Sequence, residues 1–113
     1  DMHLKNWSLI YPDQRQAALA PAYDFVSTIA YLPDDSMALS LAGRSKRFID
    51  LSEQAFKRFA AKARLPEKLV LDTVLHTKEQ FEAIWQNEKK HLPLSKNVIE
   101  VIEKHKANVL DDI

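Results

Sequence analysis

From Leu51 to Val109 the apolar residues recur at intervals of three and four, the spacing that lines one face of an α-helix. Ala55, Phe56, Phe59, Ala60 and Ala63 form a first stripe. Val70, Val74, Phe81, Ile84 and Trp85 form a second that runs through about 24 residues, and Val98, Ile102, His105 and Val109 form a third. Asp50 followed by Glu53 has the spacing of a capping box, Pro66 suits a first helical position, "HLPLS" with Pro93 breaks the second helix, and Ser95 is placed to cap the third. A chain so committed must bury its stripes against one another or against what precedes them, so the expected fold is mainly α, with the remaining structure confined to the first half.

That first half reads as short strands and loops. "WSLIY" (7–11) is a compact aromatic and β-branched run, stopped by the turn formers Pro12 and Asp13, and "AALA" (17–20) can pair back on it as a small hairpin. "FVSTIAYL" (25–32) is compatible with a short helix or an extended segment, ended by "LPDD". "MALSLAG" alternates like a strand, with Met37, Leu39 and Leu41 on one face. Residues 1–50 and 51–113 are therefore read as two parts of one compact domain, without repeat, linker or low-complexity tract.

Composition narrows the chemistry. At 113 residues the chain suffices for one core, whereas a bilobal nucleotide-dependent enzyme needs more. Sixteen basic residues balance sixteen acidic ones, so no global field draws nucleic acid or an anionic membrane, and neither is expected as a partner. The single glycine, Gly43, rules out a phosphate-cradling glycine-rich loop within these residues, because such loops bring several backbone amides to the phosphates without an intervening Cβ. Cysteine is absent, which removes disulfides, thiolate metal sites and cysteine nucleophiles and suits a reducing cytoplasm, the expected location. No apolar run reaches membrane-spanning length, and the polar N-terminus has no signal-peptide core.

The chain opens "DMHLKNW". Phosphoryl transfer from ATP asks the protein for a carboxylate near the attacking hydroxyl and for oxygen ligands that hold magnesium on the phosphates. In protein kinases the catalytic-loop aspartate and the metal-binding asparagine stand five positions apart, and a second metal-binding aspartate follows a short hairpin. Asp1 and Asn6 have that separation, "WSLIY…AALA" supplies a hairpin, and Asp24 in "AYDF" stands where the second acid belongs. Taken singly, Asp1 and Asn6 read better as residues that cap or turn the chain near its end, and Asp24 also reads as a cap for the run that follows it, a role compatible with metal binding.

"DMHLKNWSLIY", "LAPAYDFVST" and "MALSLAGRSKRF" together resemble the C-terminal part of the HipA-like serine/threonine kinases, bacterial toxins whose catalytic segment has the form D-x-H-x-K-N followed by an aromatic residue and Ser. A leucine, a proline and a Tyr-Asp pair follow in that family, as Leu19, Pro21 and Tyr23-Asp24 do here. The resemblance implies a mainly α, α+β kinase-like C-terminal lobe in which a small β-hairpin precedes a helical bundle. It makes Asp1 the residue that orients the hydroxyl and accepts its proton, and Asn6 and Asp24 the ligands of magnesium on ATP. Lys5 would neutralise phosphate charge, although it stands four positions after the aspartate where conventional kinases place a lysine two after it. Val26 after Phe25, and His3 after the aspartate, also depart from conventional kinases while fitting the HipA-like pattern. The family implies a protein substrate and restraint by a helix-turn-helix antitoxin.

Because the chain begins at Asp1, the expectation is that an N-terminal lobe with the phosphate-covering loop and the ATP-pairing lysine lay upstream. The 113 residues alone are then not expected to catalyse transfer or to hold magnesium and ATP. A non-catalytic helical module that binds another protein, or the C-terminal half of a split kinase, are the competing readings. His3 is read as structural, and His76, His91 and His105 lack the paired spacing of a zinc site. "GRSKRF", with Arg44, Lys46 and Arg47, is read as a solvated loop, and Ser27, Thr28 and Ser45 have no placed base to make them nucleophiles.

Overall fold

The computed structural model describes residues 6–32, 36–110 and 113. Asp1, His3 and Lys5 lie outside the described residues, as does most of the "LPDD" stop. Two thin antiparallel hairpins precede three helices, the mainly helical α+β architecture expected of the sequence.

The first hairpin pairs β1 (Leu9–Ile10) with β2 (Ala18–Leu19), Leu9 opposite Leu19 and Ile10 opposite Ala18. Its loop turns where Pro12 and Asp13 predict. The Asp13 carboxylate accepts hydrogen bonds from the backbone N–H groups of Gln16 (2.7 Å) and Arg15 (3.0 Å), Gln16 first in effect, and these hold its pKa below the usual value. Residues 25–32 form neither a helix nor a strand, and the stretch closes in a turn where the N–H groups of Tyr31 and Leu32 both donate to the Thr28 carbonyl.

The second hairpin pairs β3 (Ser36–Leu41) with β4 (Ser45–Arg47). "GRSKRF" is thus strand as well as turn: Ser45 is buried, and the N–H groups of Lys46 and Arg47 donate to the Asp50 carboxylate. A register irregularity inside this pair breaks the alternation of β3, leaving Leu39 exposed while Met37 and Leu41 are half-buried. Gly43 sits in the connecting turn at φ +78°, and a Cβ there would stand 3.0 Å from the Lys62 ammonium, which donates to the Ala42 carbonyl. It is the conformation that asks for glycine at this position, since the lysine end can shift aside.

A 3-10 turn (Phe48–Asp50) leads into α1 (Glu53–Ala63). The cap is Ser52, whose hydroxyl accepts from the Ala55 N–H, and not Asp50. Asp50 is spent instead on the amides of β4. Arg64 ends α1 in the left-handed conformation, φ +56°, returning its N–H to Ala60 and Ala61. Pro66 stands just before α2 (Glu67–Glu88), one position earlier than expected, and Ser95 caps α3 (Lys96–Leu110) through the Val98 N–H.

The core is small: Ala55, Ala60, Val70, Trp85 and Val109 are its buried apolar members. Phe81 and Ile84, read from periodicity as core, are exposed, because α2 is covered by α1 along only part of its apolar stripe. The chain exposes 8548 Å² where a compact monomer of this mass exposes about 6,300 Å². Its radius of gyration is 15.9 Å against about 13 Å for a typical domain of this length. Much of the uncovered apolar surface belongs to the first half, where Trp7, Tyr11, Phe25, Tyr31 and Leu32 are all more than half exposed.

Candidate active site

The β1–β2 hairpin acts as a clasp. Pairing of the two strands, extended by the Ala20 N–H donating to the Ser8 carbonyl (2.9 Å), returns the chain beside its own beginning. Asn6 and Asp24, eighteen positions apart, meet there: the Asn6 Nδ2 donates to the Asp24 Oδ2 over 2.8 Å. Asp24 adopts φ +61°, the left-handed region that non-glycine residues enter mainly when a short polar side chain bonds locally. Such conformations persist where surrounding structure imposes them, and they gather at functional sites. At Asp24 it accompanies the side-chain hydrogen bond from Asn6.

This donor set suits a hard cation. Asn6 and Asp24 offer amide and carboxylate oxygens, and because the Asn6 nitrogen faces Asp24, its oxygen is the atom that a cation would take. Two protein oxygens match magnesium, which keeps waters and substrate phosphates as its remaining ligands, better than zinc, which wants three or four nitrogen or sulfur donors. Among the described residues no three His, Asp or Glu side chains come together in an arrangement that can hold a metal. Asp1 and Lys5, the other two sequence candidates, lie outside the described residues; of the sequence candidates within them, the geometry brings together Asn6 and Asp24.

A second polar cluster, which no sequence motif announced, ties α2 to α3. The Glu103 carboxylate accepts from the Lys89 ammonium (2.6 Å) and the Trp85 indole N–H (2.9 Å), and Lys106 pairs with Glu82 (2.6 Å) and Glu103 (3.3 Å). Lys89 above all, then Trp85, pulls the Glu103 pKa from 4.5 down to about 2, while Glu82 raises that of Lys106. The Glu103/Lys106 spacing of three was the one local hint, since it places both on one helix face.

Comparison with known proteins adds what geometry alone does not. Residues 1–85 match the HipA-like C-terminal domain, a span that includes both hairpins, α1, most of α2 and the Asn6–Asp24 pair. The chain belongs to the HipA-like C-terminal domain family. A protein of Sinorhizobium fredii (strain NBRC 101917 / NGR234) named "Putative kinase Y4dM" is 50% identical over 109 residues, covering 96% of this chain and 27% of the relative. This HipA-like chain therefore spans about a quarter of that relative's length, and the similarity continues beyond residue 85 into α3. No solved structure matches it. Among the described residues no helix is long and apolar enough to cross a membrane.

Proposed function

We propose that Asp1, Lys5, Asn6 and Asp24 form the transfer half of a HipA-like serine/threonine protein kinase site, working with a phosphate-covering half that these 113 residues do not contain. The observation that carries this reading is the Asn6–Asp24 hydrogen bond, which draws together the two oxygen ligands that the motif assigns to magnesium. Magnesium and ATP, when bound, supply the γ-phosphoryl group and the charge neutralisation for its transfer to a Ser or Thr hydroxyl of a protein. Asn6 and Asp24 hold and orient that group; Asp1 aligns the attacking hydroxyl and takes its proton; Lys5 offsets charge on the phosphoryl oxygens. The left-handed Asp24 keeps its carboxylate against Asn6 before any ligand arrives, so little reorganisation is required on binding.

The complementary half is needed on physical grounds. One glycine cannot build a phosphate-covering loop. The apolar groups exposed over residues 7–32 offer a seat for that half, and the S. fredii relative has nearly three-quarters of its length outside the matched region. Supplied within one longer polypeptide or as a separate chain, it completes the site in the same way. The test is protein phosphorylation by a chain extended to the relative's length. Asp24→Ala is expected to abolish transfer while leaving the fold intact, and undiminished transfer by that variant sinks the metal assignment. The 113 residues alone are expected to show no magnesium-dependent ATP binding tighter than millimolar in calorimetry, since about half of the usual phosphate contacts are missing.

A further inference from the structure

The clasp that brings Asn6 beside Asp24 has its loop at the opposite end, over residues 11–17. Every residue from Trp7 to Leu19 is exposed, so burial among the described residues does not hold β1 on β2, and strands of two residues contribute little by themselves. The loop carries the order that the strands lack. Three consecutive amides in it are bonded: the Gln14 N–H donates to the Tyr11 carbonyl (3.0 Å), and those of Arg15 (3.0 Å) and Gln16 (2.7 Å) donate to one oxygen of the Asp13 carboxylate.

Gln14 stands at φ +60°, a region that glycine enters freely and glutamine does not. A residue held there needs bonds on both sides of it. Tyr11 supplies the bond before it and Asp13 the two after it. A carboxylate suits that task, since it accepts several hydrogen bonds and accepts them more strongly than a neutral group. The same two amides keep the Asp13 carboxyl below its ordinary range, so it stays ionised near neutrality.

We propose that Asp13 is a positioning residue of the phosphoryl-transfer site: by fixing the hairpin loop it keeps the clasp closed, and through the clasp it holds Asn6 against Asp24. Its part in magnesium binding rests on the kinase reading of Asn6 and Asp24, whereas its hold on their hydrogen bond does not. Magnesium that binds only the closed clasp has an apparent affinity scaled by the fraction of molecules in that state. Loosening the loop therefore raises the magnesium requirement, and saturating magnesium closes the clasp again and restores the rate.

Two measurements test this. In the 113-residue chain, exchange of the Asn6 side-chain amide protons with water, followed by NMR, should speed up about fivefold in Asp13→Ala as the closed fraction falls. Asp13→Asn, whose amide oxygen can accept the same two bonds, should recover most of that change. In a chain of the relative's length, Asp13→Ala should move half-maximal phosphorylation about fivefold toward higher magnesium, with the rate at saturation unchanged and Asp13→Asn again close to the parent. A merely structural defect would instead lower the rate at saturation, and that result without a magnesium shift overturns the proposal. So does unchanged Asn6 exchange in Asp13→Ala, or failure of Asp13→Asn to recover either readout. Faster Asn6 exchange with an unchanged magnesium dependence keeps Asp13 as the holder of the clasp and overturns the magnesium reading of Asn6 and Asp24 instead.

Discussion

The stretch that brings Asn6 to Asp24 and the helices that follow it are held by different means. Residues 6–32 rely on a hairpin of two residues per strand, one left-handed aspartate and side chains that face outward. Residues 52–110 rely on capped helices, a buried Trp85 and a tied set of charges. A two-stranded hairpin is marginal in water, so the first region owes little of its order to burial, whereas the second has a core, if a small one. The contrast separates the residues assigned to chemistry from those that hold the fold, and substitutions in the two regions should move different observables.

The largest expected effect is on activity. In a chain of the relative's length, Asp24→Gly should cut phosphoryl transfer by about a thousandfold or more, the scale seen when a group that stabilises transition-state charge is lost. Thermal unfolding should not fall, because glycine accepts φ +61° without strain. A loss of stability that parallels the loss of activity would break the separation.

Trp85→Ala should do the reverse. It removes the largest core side chain and the indole donor to Glu103, and it should destabilise the helical half by about 3 kcal/mol in denaturant unfolding. The Asn6–Asp24 region makes no hydrogen bond to Trp85, so chemical shifts of that region should stay in place wherever the variant remains folded.

A smaller effect is pH-dependent. The folded state holds the Glu103 pKa down at about 2, against an ordinary 4.5, so the native carboxyl binds its proton more weakly than the unfolded one. That stabilisation is fully present above about pH 4.5 and is lost as pH falls toward 2. Unfolding midpoints should drop across that window, and Glu103→Gln should flatten the drop by removing this group's share. The smallest effect belongs to the end of α1, where Arg64→Gly should raise stability by about 0.5–1 kcal/mol by relieving a left-handed arginine.

What was legible in the sequence followed from local rules. The three helices, the first hairpin and the Ser95 cap each follow from periodicity or turn chemistry within a few residues. The Asn6–Asp24 meeting was legible too, because the motif states both residues and the hairpin that joins them. Local rules failed where two candidates competed or where a neighbour decided. Asp50 and Ser52 are both acceptable caps, and only the folding back of β4 onto Asp50 leaves the role to Ser52. Phe81 and Ile84 lie on an apolar stripe, yet no periodicity tells which part of a stripe finds a partner. The charge ties between α2 and α3 arise from the approach of two helices across a proline-broken loop, a tertiary fact without a local signature.

The central claim is that Asn6 and Asp24 together hold magnesium on the transferred phosphate. It is tested most directly by the magnesium dependence of protein phosphorylation in a chain of the relative's length carrying Asn6→Ala, with Asp24 untouched. The account predicts that half-maximal activity shifts at least tenfold toward higher magnesium concentration, together with a lower rate at saturation. An unchanged magnesium dependence would contradict it.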